Sequence, residues 1–256
     1  MKNIKLYELE ETYRNEESSL EYPTVSYTKD TDKVWYLMKP ELYEWVDLGL
    51  PSGLKWAAWN VGATKPEEFG LYFAWGETQG YTGITDTKQF SWADYKWSAD
   101  DIGSTMTKYP SDGSSTEGGG ALPVDMVEEN ATTLLTLLLE DDAAYATDSS
   151  CRMPTSAECA ELTANTTSEW VDDYNGTGVS GRIFTSNVNG NSIFVPAASD
   201  AGNGSVDGVG QHGDLWSSSL ISSNVVRASC LGFSLDIVGV FYMGRFWGLP
   251  VRAVRV

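Results

Sequence analysis

Between Cys230 and Phe241 the chain alternates. Leu231, Phe233 and Leu235 are interleaved with Cys230, Gly232 and Ser234, and Val238 and Val240 with Ile237, Gly239 and Phe241. A period of two sets each series on one side of a strand. Leu231, Phe233, Leu235, Val238 and Val240, with Ala228, are therefore expected to face a core, with a turn near Asp236-Ile237. The other side carries Cys, Gly, Ser, Ile, Gly and Phe, and is followed by Tyr242, Met243, Gly244, Phe246 and Trp247. A solvated strand face usually carries Lys, Glu, Thr or Gln. From Ser222 to Trp247 there is no Lys, Glu or Gln at all.

Further upstream the patterning predicts short elements. Val46 to Ala57 alternates around Pro51-Ser52-Gly53, a strand–turn–strand signal. An aromatic knot follows at Gly70 to Glu77, and a Ser/Gly/Thr/Asp-rich stretch from Ala99 to Gly120 reads as a long surface loop. Thr155 with Glu158 has capping-box spacing and opens a helix. Asp141 and Asp142 precede Ala143-Ala144-Tyr145-Ala146 and suit a helix start, where carboxylates meet the dipole. Ile183-Phe184 and Ile193-Phe194-Val195 flank Asn189-Gly190 as a hairpin. Residues 1–44 are acidic, with a hairpin across Asp30-Thr31-Asp32, and form an N-terminal accessory module. The expected class is α+β: mostly short strands and loops, one or two helices, and a small N-terminal β module.

Composition adds few constraints. The 256 residues include 10 Trp and 25 Gly, which favours short strands and loops pinned by large rings. A net charge of −19 argues against nucleic acid and anionic lipid, since phosphate binding needs clustered Lys and Arg. The three cysteines, Cys151, Cys159 and Cys230, have neither zinc-site nor disulfide-framework spacing. The first residues lack the apolar core of a signal peptide, and no run approaches the roughly 18 apolar residues of a membrane span.

Ordered motifs then carry a resemblance. Val46 to Trp56 (VDLGLPSGLKW), Asn60-Val61-Gly62-Ala63, Tyr72 to Glu77 (YFAWGE), Arg152-Met153-Pro154-Thr155, Leu215 to Ser219 (LWSSS) and Gly248 to Arg255 (GLPVRAVR) resemble the Fibrobacter-type major paralogous domain. The similarity covers residues 45–256 and not the N-terminal module. It implies a C-type-lectin-like fold of the formylglycine-generating-enzyme subtype, a group that includes variable proteins of diversity-generating retroelements. In those proteins a C-terminal segment, here 222–247, is rewritten at template adenines and displays a binding face. The implied setting is a virion or a bacterial surface. The implied ligand is a cell-surface protein or glycan, and a homo-oligomer or phage-tail assembly is the implied context.

An asparagine codon ending in a pyrimidine, once its adenines are randomised, yields residues such as Phe, Ser, Tyr, Cys, Gly, Ile, Val, Arg and Asp but not Lys, Glu, Gln, Met or Trp. Val225, Val226, Arg227, Ser229, Cys230, Gly232, Ile237, Gly239, Phe241, Tyr242, Gly244 and Phe246 fit that set. Met243 and Trp247 do not. Together with Trp247, whose ring adds contact area, the twelve fitting positions are the expected ligand-binding residues. Aromatic anchors supply such area at low side-chain entropy cost.

Catalytic chemistry finds little support. Formylglycine-generating oxidases need a reactive cysteine pair, whereas Cys151 and Cys159 read as core thiols and Cys230 stands alone. Calcium-dependent sugar binding would need Glu-Pro-Asn or Gln-Pro-Asp with Trp-Asn-Asp; Trp59-Asn60-Val61 lacks the final carboxylate, so sugar binding would be calcium-independent. His212 has no partnered nucleophile in sequence. No enzyme activity, cofactor or metal is expected.

Overall fold

The computed structural model describes the backbone of 4–7, 24–28 and 33–37, and residues 42–104, 106–109, 135–221, 224 and 226–256 in full. The chain divides into two compact units, Met1–Leu42 and Tyr43–Val256. In the first, β1 (Ile4–Tyr7) runs parallel to β2 (Thr24–Thr28), which pairs antiparallel with β3 (Lys33–Leu37). The β2–β3 pair is the hairpin anticipated across Asp30-Thr31-Asp32.

In the second unit β4 (Trp45–Asp47) and β5 (Lys55–Ala57) pair around the Pro51-Ser52-Gly53 turn, in which Gly53 N–H bonds Leu50 O at 2.9 Å. β6 (Tyr72–Phe73) follows, then the helices α1 (Ala143–Thr147) and α2 (Ser156–Asn165). Asp142 caps α1, accepting from Ala144 N and Tyr145 N. Thr155 and Glu158 form the capping box of α2. β7 (Thr166–Val171), β8 (Gly181–Ser186) and β9 (Ser192–Pro196) make an antiparallel meander. Gly190 takes φ of 76° in the β8–β9 turn, the left-handed region a residue with a Cβ disfavours. β10 (Asp200–Gly202) and β11 (Ser205–Asp207) form a small ribbon. β12 (His212–Leu220), β13 (Arg227–Ser234) and β14 (Val238–Gly244) build the longest sheet, with β13 central. β15 (Leu249–Pro250) pairs with β6, and β16 (Val254–Arg255) with β5.

The expected α+β class with a C-type-lectin-like arrangement is corrected here. Among the described residues 13% are helical and 37% lie in strands, the strands form small separate sheets, and no barrel closes. Gly, Pro and Asn turns interrupt the apolar runs every few residues, so most strands span two to six residues and pair only locally. The long surface loop expected over Ala99 to Gly120 falls partly outside the described residues.

Two apolar clusters flank the β12–β13–β14 sheet. Trp216, Ala228 and Cys230 pack with Phe73, Trp75, Met153, Leu249 and Val251 on one side. Leu215, Leu231 and Phe233 pack with Leu48, Trp56, Leu162, Phe184 and Ile193 on the other. Each fully buried Leu, Ile, Val, Phe or Met side chain among them contributes about 1.5–3 kcal/mol. The indole nitrogens are satisfied in place: Trp216 Nε1 donates to Phe73 O at 2.8 Å and Trp75 Nε1 to Ser217 O at 2.9 Å. The closing motif is stapled by Arg252, fully buried, which donates to Asn60 Oδ1, Ala57 O and Phe194 O. Burial pushes its pKa down to about 9.

Candidate functional site

β13 and β14 pair over seven consecutive residues without a register shift, from Arg227 opposite Gly244 to Phe233 opposite Val238. β14 forms the outer edge of its sheet, and Val238 to Gly244 contains no charged residue and no Pro. Edge strands are usually blunted by charge, Pro or a bulge, because their free N–H and C=O groups invite pairing.

The expected binding residues separate into three groups. Ser229, Cys230 and Gly232 are buried within β13. Arg227, Ile237, Phe241 and Tyr242 are exposed. Val226, Gly239, Gly244, Phe246 and Trp247 are half-buried. Val225 lies outside the described residues. Ala228, Leu231 and Phe233 face the core as expected, and Val238 and Val240 pack at its margin. Leu235 does not: β13 ends at Ser234, and Leu235 sits in the turn, 62% exposed.

Among the described residues, Phe241 (44%) and Tyr242 (55%) are the exposed aromatic side chains. They do not share a face. Phe241 pairs with Cys230 and Tyr242 with Ser229, so the two rings project to opposite sides of the edge. The Arg227 guanidinium stands 5.1 Å from the Tyr242 ring centroid, within cation–π range. Ile237 and Leu235 extend the apolar surface around the turn.

Phe246 and Trp247 form a separate shelf. Their ring centroids are 5.3 Å apart, and Phe246 lies 4.7 Å from Trp92. A Cβ at Gly202 would come within 2.1 Å of Trp247 Cε3, so only glycine lets this ring lie on β10. Arg245 anchors the shelf from beneath. It is fully buried and donates to Tyr95 Oη at 2.9 Å, Lys108 O at 2.9 Å and Tyr109 O at 3.2 Å. The two rings thus combine packing with partial exposure.

A polar group borders the Phe241 side of the sheet. His212 Nε2 is 3.2 Å from Asp200 Oδ1 and 3.3 Å from Ser199 Oγ. The hydrogen bond to Asp200 holds the imidazole pKa above its usual value. Ser199 is fully buried, with φ of 62°, and its hydroxyl donates to Asp207 O. Ser, His and Asp meet here, yet serine and carboxylate address the same ring nitrogen. A nucleophilic triad needs them on opposite nitrogens, so this arrangement activates no serine. Asp214, one β12 repeat along, is held up at about 6 by burial. Sequence reasoning missed Asp214, whose signal was the one carboxylate in β12, between Gly213 and Leu215. It also missed Trp92, which reaches the shelf across some 150 residues of chain.

All three cysteines are buried thiols outside any disulfide. Burial pushes Cys159 and Cys230 well above the ordinary thiol range, which suppresses the thiolate that oxidase chemistry requires. No helix among the described residues is long and apolar enough to cross a membrane. No group of three or more His, Cys, Asp or Glu side chains among them is placed to hold a metal. No protein-family profile, curated protein or solved structure matches the chain.

Proposed function

We propose that this is a non-catalytic ligand-binding protein whose contact surface is the outer edge of the β13–β14 hairpin, with the Phe246–Trp247 shelf beside it. Its C-terminal coding segment is a variable region of the kind a diversity-generating retroelement rewrites, and its ligand is a protein or glycan on a cell surface. One observation carries this. In an aromatic-rich chain, the exposed rings among the described residues are Phe241 and Tyr242, adjacent on an uncharged edge strand. Interface hot spots concentrate in such aromatic and arginine anchors, and Arg227 supplies the arginine.

The burial pattern sharpens the proposal. Arg227, Ile237, Phe241 and Tyr242 are exposed, so most side chains there leave the core undisturbed, whereas the buried Ser229, Cys230 and Gly232 tolerate few. Sequencing the genomic locus tests it. The expected result is a near-copy of the 3′ coding segment beside a reverse-transcriptase gene, differing at template adenines. Across sister copies, replacements concentrate at the exposed codons. Silent or scattered differences sink the variable-surface reading.

A further inference from the structure

On the side of the sheet that carries Phe241, the register aligns Asp214 of β12, Gly232 of β13 and Gly239 of β14 in one row. Trp216, Cys230 and Phe241 form the neighbouring row. Residues paired across antiparallel strands project to the same side, so the first row is a carboxylate followed by two positions without side chains. A Cβ at Gly232 would stand 2.7 Å from Asp214 Oδ1 and 2.8 Å from Phe241 Cδ2. Carboxylate and ring edge therefore converge over Gly232. At Gly239 the nearest approach is Phe241 Cε2 at 3.7 Å, so the row opens toward the edge of the sheet.

Asp214 is poorly served where it stands. Among the described residues, the donor that reaches its carboxylate is the Cys230 thiol, at 3.8 Å from Oδ1. Thiols donate weakly. His212 lies two residues along the same face, but its Nε2 addresses Asp200. Asp214 is half-buried, so its carboxylate loses part of its hydration without gaining an N–H or O–H donor among the described residues, and one side stays open to an incoming group. A cation arriving from outside meets the deficit with a charge-assisted hydrogen bond. The ring beside it adds cation–π attraction, and the net charge of −19 steers cations toward the molecule.

We propose that Asp214, Gly232, Gly239 and Phe241 form a subsite for a cationic group of the ligand, the ammonium or guanidinium of a partner protein's Lys or Arg side chain. Asp214 supplies the counter-charge, the two glycines the floor and Phe241 the wall. This rests on the ligand-binding reading of the hairpin and names the chemistry of one part of it. Gly232, Gly239 and Phe241 belong to the segment read as variable, and Asp214 lies upstream of it. A constant counter-charge, over a Gly232 held small by its own contacts, would then sit beside a changeable wall at Phe241.

The test titrates the isotope-labelled full chain with n-butylammonium and n-butylguanidinium chloride, with n-butanol as the uncharged control at matched ionic strength. Backbone amides of Gly232, Gly239 and Phe241 are followed by NMR. The expected result is saturable shifts with both cations, none with butanol, and about tenfold weaker binding in Asp214→Asn. Phe241→Leu keeps the apolar bulk and removes the ring; it is expected to weaken binding as well, and it serves if Asp214→Asn does not fold. Absence of saturable shifts, or equal affinity in wild type and variants, overturns the cation subsite. Failed titration with adenine-restricted variation at the locus overturns the subsite alone, whereas scattered codon differences remove the variable-surface reading itself.

Discussion

Asp214 titrates near 6 in the folded chain because burial disfavours its charge, against about 4 in an unfolded chain. The folded state therefore keeps its proton to higher pH than the unfolded state does. Its contribution to stability is complete below about pH 4 and is lost as pH rises through about 6. His212 has the same sign: its pKa is raised by the hydrogen bond to Asp200, so its contribution is complete below about 6.5 and is lost as pH rises through the raised folded value. Removing the Asp214 charge should stabilise the unliganded protein. Asp214→Asn is expected to gain about 1–2 kcal/mol over wild type near pH 8 and almost nothing near pH 4. Thermal unfolding across that range measures it. A variant less stable than wild type at the higher pH would mean that Asp214 holds the fold rather than awaiting a partner.

At the scale of the element, the hairpin has one tolerant side and one intolerant core. Ile237→Ala, Phe241→Ala and Tyr242→Ala should each change stability by no more than about 0.5 kcal/mol. Leu231→Ala and Phe233→Ala should cost about 2–5 kcal/mol, because both fill the space between β13 and the α2 side of the core. Chemical denaturation of the five variants reads the difference, and a large loss at Phe241 or Tyr242 would move those rings into the packing. Much of this element was legible in the sequence. The alternation placed Leu231 and Phe233 together and located the turn near Asp236. It carried Leu235 one step too far, because the apolar rhythm runs on through a turn that has no Gly or Pro to mark it.

For the whole molecule, the decisive arrangement is a three-stranded sheet held between two apolar clusters. It makes Cys230 as inaccessible as Cys151 and Cys159. A thiol reagent should therefore leave all three unmodified in the native protein and react fully once denaturant is added. Fast native labelling of any one would contradict this packing. Local signals sufficed wherever neighbours in sequence determine structure. The Thr155–Glu158 capping box, the Asp142 cap, the Asn189-Gly190 turn and the pairing around Pro51-Ser52-Gly53 each depend on a few adjacent residues, and the sequence by itself determined them. Alternation likewise established which residues of β13 share a side. It carried no information on whether the second side is covered, since Cys, Gly and Ser suit a buried face as well as an open one. Only the tertiary structure decided that, by bringing Phe73, Trp75 and Met153 from distant parts of the chain onto Cys230, and by leaving Phe241 and Tyr242 exposed on β14. The same long-range packing corrected the anticipated lectin-like arrangement and brought Asp214 beside Phe241. Contacts between residues far apart in sequence leave no periodic trace in either segment, and so they emerge only from the folded chain.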